Sequence, residues 1–187
     1  MNIVLKIPLK KNKCLFKTLT GQWFEEAKLQ GERLMLSNDE VFQVDGKKRP
    51  GKIPENIRSV QRELSSIFDY DFYDVITIKE GDQTGLTFLL DFPDCKLPFS
   101  IRHTIMRASL PNLQSVLKYN YDPRLSVLPC MLPGGRIGQL YEDTKRGDPF
   151  LKDIPISGVV LKNPNQVNRL DSCDNLNEYD EWFSIDF

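Results

Sequence analysis

The segment from Pro54 to Phe68 constrains the fold more than any other part of this sequence. Its apolar residues recur every three or four positions and so form one stripe on a helix, at Ile57, Val60, Leu64 and Ile67. Proline suits the first turn of a helix, and Glu55 lies near the positive end of the helix dipole. The sequence therefore predicts an amphipathic helix whose apolar face must be covered by another element.

Two β-rich runs follow this helix. Residues 72–79 and 86–92 are dense in β-branched and aromatic side chains, and they flank the polar segment 80–85. Such a pair predicts a hairpin with a long loop. Residues 100–108 and 111–119 then have helical periodicity.

The N-terminal third has the composition of short strands. A strand is predicted at Ile3–Ile7, before Pro8. Mixed apolar and polar positions around turn residues predict hairpin-linked strands over 22–30, 32–37 and 40–45, with helix as the alternative for the first of these. Because strands and helices occur in blocks, we predict an α+β fold with a mostly antiparallel sheet and about three helices.

Proline and glycine are frequent from Asp122 to Gly158, so the C-terminal third is predicted to be rich in loops. Residues 156–162 form the last predicted strand. The predicted organisation is one domain over residues 1–165, which is a normal domain length, followed by a tail over residues 166–187.

The composition excludes several classes of protein. With 40% hydrophobic and 27% charged residues and a net charge of −1, the chain is predicted to be globular, with no bulk charge favouring a partner. Its four cysteines are far apart, which predicts no zinc site. Residues 1–13 carry four lysines and are interrupted by Pro8, unlike a secretory leader, so a reducing, cytoplasmic location is predicted. No membrane span, cofactor or metal is predicted. The single histidine, His103, is assigned no catalytic role.

Charge is nevertheless uneven along the chain. Residues 1–60 hold 12 cationic and 7 acidic side chains, whereas residues 121–187 hold 7 and 11. Two basic clusters stand out in the N-terminal third: Lys10, Lys11 and Lys13, then Lys47, Lys48, Arg49 and Lys52. Clustered cations of this kind bind nucleic-acid phosphates by releasing counterions, so direct nucleic-acid binding is one alternative function.

The C-terminal end has a different character. Residues 171–187 contain six acids, no cation and four aromatic residues: Tyr179, Trp182, Phe183 and Phe187. This composition suits docking into a basic groove with apolar pockets. The acidic aromatic end resembles the tips with which single-strand-binding proteins of bacteria and phages recruit other replication proteins. The alternative is that the tail folds back onto its own domain.

A metal-dependent nuclease is the enzymatic alternative, since such enzymes need carboxylates near a lysine. The candidates are Asp74, Asp91, Asp94 and Lys96. Their sequence context is turn-like around Pro93, which argues against this site.

Taken together, these features favour a non-enzymatic binding or assembly protein. We predict a component of a larger protein or nucleoprotein complex, such as those encoded by phages and mobile elements. The predicted partner is a protein with a basic groove or a second copy of the chain, docked through the tail.

Overall fold

The computed structural model describes residues 24–79, 85–109, 127–129, 156–162, 164–167 and 182–186. Within these residues the chain forms eight strands and two helices, and the strands belong to two sheets. The α+β class and the mostly antiparallel pairing fit the prediction. The predicted third helix at 111–119 and the strand at 3–7 lie outside the described residues.

The larger sheet has five strands in the order β3-β2-β4-β5-β6. Its strands are β2 (Glu32–Leu36), β3 (Val41–Phe42), β4 (Tyr73–Thr77), β5 (Thr87–Asp91) and β6 (Val127–Pro129). The predicted hairpin is confirmed, because β4 and β5 pair antiparallel at the centre of this sheet. β6 is added to β5 in parallel.

Both helices lie where the periodicity predicted them. Helix α1 spans Glu55–Ile67 and buries Ile57, Val60 and Leu64 against the larger sheet. Helix α2 spans Phe99–Ser109. Burying each of these aliphatic side chains stabilises the fold by about 1.5–3 kcal/mol.

The smaller sheet has three antiparallel strands in the order β1-β7-β8. They are β1 (Phe24–Leu29), β7 (Ile156–Lys162) and β8 (Trp182–Asp186). Strand is therefore the correct assignment for the first N-terminal segment, and helix is wrong. The expectation that β1 and β2 form a hairpin is also wrong, because β1 pairs with β7 instead.

The chain crosses from one sheet to the other at Gln30 and Gly31, between β1 and β2. Gly31 packs so closely on β4 that an added Cβ would lie 2.3 Å from the Thr77 carbonyl oxygen. Only glycine allows this close approach to β4.

No helix in the described part of the chain is long and apolar enough to cross a membrane.

Candidate nucleic-acid interface

Residues 46–52, here called the basic loop, leave β3 and lead into α1. Gly46 and Gly51 have positive φ values of 83° and 81°, a conformation that glycine adopts without strain. The side chains of Lys47 and Lys48 are 80% and 72% exposed. Lys52 is exposed as well. The loop therefore presents three ammonium groups to solvent.

The two neighbouring lysines have acidic partners that hold them weakly. Lys47 Nζ lies 3.8 Å from an Asp45 carboxylate oxygen, and Lys48 Nζ lies 3.1 Å from a Glu40 oxygen. Exposed ion pairs contribute about 0–1 kcal/mol, because water and salt compete with them. A phosphate group can displace such partners at low cost.

Arg49 behaves differently from these lysines, although the sequence grouped it with them. Its side chain is 19% exposed, and its Nε donates a hydrogen bond to Glu32 Oε1 at 2.5 Å. Its backbone N–H donates to the Val41 carbonyl at 2.9 Å, and its Nη1 donates to the Lys52 carbonyl at 3.3 Å. Arg49 thus ties the middle of the loop to the larger sheet and also holds its C-terminal end at Lys52.

Glu32, at the start of β2, forms ion pairs with two cationic side chains. Besides Arg49 it pairs with Lys79, which follows β4. The hydrogen bond from Arg49 is the main reason that the pKa of Glu32 lies below its usual range. Beside this carboxylate is a cleft of about 450 Å³, whose lining includes Glu32, Arg33, Val44 and Arg49.

Six charged side chains form a second set, and all of them except Arg33 are buried. We call it the charged seam, and it consists of Glu26, Arg33, Asp74, Asp91, Arg102 and Lys162. The Lys162 ammonium lies 2.5 Å from a Glu26 oxygen and donates to the Leu90 carbonyl at 2.7 Å. Since Glu26 and Lys162 belong to the smaller sheet and Leu90 to the larger one, Lys162 joins the two sheets.

Two arginines complete the charged seam. Arg102 makes a bidentate bond to Asp91, at 2.8 and 3.1 Å. It also donates to the carbonyls of Leu97, Gln166 and Val167. Arg33 makes a second bidentate bond to Asp74, at 3.0 and 2.7 Å. Bidentate charge-assisted bonds of this kind compensate charges that are removed from water.

Burial raises the pKa of Glu26, and the nearby Lys162 ammonium only partly offsets this effect. Sequence reasoning missed Glu26, Arg33, Arg102 and Lys162. The available signal was that charged residues interrupt or end segments predicted as strands or helices, as Lys162 does at the end of its apolar run.

The predicted nuclease residues are arranged in a different way from a metal site. Asp74 and Asp91 are register partners on β4 and β5, yet each binds an arginine. Asp94 accepts the backbone N–H groups of Asp71 and Phe72 at 3.3 and 3.2 Å, and burial raises its pKa. Lys96 is exposed. In the described ranges, no cluster of three or more histidine, cysteine or acidic side chains could hold a metal.

The structure describes only some of the remaining residues that were predicted to bind nucleic acid or a partner. Lys10, Lys11, Lys13, Tyr179 and Phe187 lie outside the described residues. The backbone of Trp182 and Phe183 belongs to β8, where these residues pair with Lys162 and Leu161. That part of the tail is thus a strand of the smaller sheet.

Comparison with known proteins gives a result at the level of fold. No model of a known protein family matches the chain, and no curated protein matches it. A solved structure described as "DNA binding with a minimal scaffold: Structure-function analysis of Lig E DNA ligases" is similar, with a TM-score of 0.53 and 9% identity. A second one, described as "Pmar-Lig_Pre.", has a TM-score of 0.51 and 17% identity.

These similarities cover most of this chain but less of the other proteins. They span 89% and 87% of this chain, and 62% and 42% of the two solved chains. At such low identity the comparison shows a shared fold and no more.

Proposed function

We propose that this chain is a nucleic-acid-binding unit and that its basic loop contacts the phosphate backbone. The observation that carries the proposal is the set of exposed lysines on the basic loop, Lys47, Lys48 and Lys52. The likeness of the fold to a DNA ligase studied for DNA binding supports it.

The expected contacts are to phosphates rather than to bases. Residues 43–66 contain no aromatic side chain that could stack on a base. Lysine ammonium groups bind phosphate as point charges, which carries little sequence information. Binding is therefore expected to be nearly independent of sequence and strongly dependent on salt.

Fluorescence anisotropy with single- and double-stranded DNA at about 50–200 mM salt tests this proposal. The variant Lys48→Ala should weaken binding to all sequences and reduce the salt slope by about 0.9 for duplex DNA. The matched control is Lys96→Ala, which removes an exposed lysine from the connection between β5 and α2. Absence of binding at the lowest salt, or equal effects of both variants, would refute the role of the loop.

A nucleic-acid-joining enzyme is the second candidate, favoured by the likeness to a DNA ligase. Lys28 is half-buried near the end of β1, where the chain is about to cross between the sheets. Its carbonyl accepts a hydrogen bond from the Ser157 hydroxyl at 3.4 Å, which joins it to β7. We propose the Lys28 amine as the nucleophile that would attack the nucleoside triphosphate and displace pyrophosphate.

A nick-sealing assay with a nucleoside triphosphate tests this candidate. Sealing by the wild-type chain that is lost in Lys28→Ala but retained in Lys96→Ala would establish it. If the wild-type chain binds DNA without sealing it, a binding function alone remains.

The tail carries a separate proposal. We propose that Tyr179, Trp182, Phe183 and Phe187 take part in contacts with a basic partner, with the acids increasing the rate of approach. Because the backbone of 182–186 already pairs with β7, such a partner would approach the edge of the smaller sheet. The test is a pull-down that compares the full chain with a Trp182→Ala/Phe183→Ala variant. Equal recovery of partners by both would exclude these anchors.

A further inference from the structure

Arg49 and its neighbours divide into two kinds of cation. Lys47 and Lys48 extend into solvent beside weak acidic partners, whereas Arg49 turns back and bonds to Glu32. Composition alone makes all three look like phosphate contacts. Their geometry separates the two lysines, which are available to a ligand, from Arg49, which holds the loop in place.

Glu32 is a firm anchor for the loop. It belongs to β2, which is paired on both sides, and Glu32 itself is in register with Thr77 of β4. It is half-buried and also bound by Lys79, so two cations fix its carboxylate. The loop is therefore attached to one of the inner strands of the larger sheet.

Arg49 transmits this anchoring through the loop backbone. Its side chain donates to the Lys52 carbonyl, and its N–H donates to the Val41 carbonyl. The loop is closed at its base by these bonds, while Lys47 and Lys48 stand beyond them. A loop that is already ordered loses little conformational entropy when it binds a ligand.

We infer that Glu32 and Arg49 are positioning residues, which hold the basic loop in the conformation that meets phosphate without touching the phosphate themselves. This inference rests on the proposed nucleic-acid binding. It assigns to an acidic side chain a positive contribution to the binding of a polyanion.

That assignment reverses the sign expected from simple electrostatics. Neutralising an acid near a phosphate-binding loop removes a repulsive charge and should strengthen binding. Glu40 and Asp45 pair directly with the exposed lysines, so Glu40→Gln and Asp45→Asn should follow this rule. Glu32→Gln removes the same charge but should weaken binding by about two- to tenfold, as ordering one or two side chains would imply.

The experiment measures DNA affinity by anisotropy for the wild type and the three charge-neutralising variants. Arg49→Lys is added because it keeps the charge but loses the forked hydrogen bonding of the guanidinium. We expect Glu32→Gln and Arg49→Lys to weaken binding with an unchanged salt slope, since the number of phosphate contacts stays the same. Melting temperatures confirm that each variant is folded at the assay temperature.

Hydrogen exchange of the amides in residues 46–52 provides a readout that needs no DNA. Glu32→Gln should accelerate exchange in the loop, whereas Glu40→Gln should not. If Glu32→Gln strengthens DNA binding, or leaves loop exchange unchanged, the inference is overturned. If loop exchange accelerates but the wild type binds no DNA, the proposed function fails and takes the binding role of Glu32 with it.

Discussion

The charged seam and the basic loop use similar residues under opposite conditions. In the seam, five of the six charges are almost completely shielded from water. In the basic loop, Lys47 and Lys48 are paired with acids but remain mostly exposed. Burial, rather than pairing, therefore decides whether a charge serves the fold or remains available to a partner.

The largest effect is expected from Arg102→Ala. This change leaves Asp91 buried without its guanidinium and also releases the carbonyls of Gln166 and Val167. Breaking a buried pair in this way typically costs about 3–5 kcal/mol of unfolding free energy. Urea denaturation measures it, with Arg62→Ala as the control, since Arg62 pairs with Glu55 on the exposed face of α1. Similar midpoints for both variants would show that the seam is no more important than the surface.

A smaller effect is expected when residues 171–187 are deleted. The deletion removes β8, which pairs over five residue positions with β7, the strand that carries Lys162. We expect the melting temperature to fall by several degrees, because the smaller sheet loses a strand. An unchanged melting temperature, with loss of a copurifying protein, would show instead that the tail serves a partner alone.

The smallest effects concern pH, and they should have opposite signs in the two regions. The pKa of Glu26 is raised from its usual 4.5 by burial, so its stabilising contribution is present below that value and is lost as pH rises through the raised pKa. The pKa of Glu32 is lowered, so its contribution is present above 4.5 and is lost as pH falls through the lowered pKa.

Chemical denaturation from pH 3 to pH 8 checks this contrast. Relative to Glu26→Gln, the wild type should become less stable with rising pH, whereas relative to Glu32→Gln it should become more stable. Parallel curves for the two variants would mean that their environments are equivalent.

The local sequence pattern was sufficient to predict the elements whose packing or pairing partners are close in the sequence. The stripe of Ile57, Val60 and Leu64 predicted α1, and the paired β-rich runs predicted the hairpin of β4 and β5. Periodicity reports which face of an element is covered, and for these elements the covering partner is a sequence neighbour or nearly so.

The sequence could not predict contacts between distant segments. The pairing of β1 with β7 joins residues more than a hundred positions apart, and nothing in either strand specifies the other. For the same reason Arg49 was grouped with its neighbours, since its partner Glu32 lies on another strand. The composition of residues 46–52 is a local property, whereas the burial of the Arg49 side chain depends on strands that are distant in the sequence.

The same long-range pairing has a consequence for the order of events during synthesis. About 125 residues separate the end of β1 from the start of β7, so at roughly 5–20 residues per second β1 waits about 6–25 s for its partner. In that interval β2, β4 and β5 can already pair, because all three are synthesised well before β7. The nascent chain would then display β1 as an unpaired strand, with Glu26 not yet matched by Lys162.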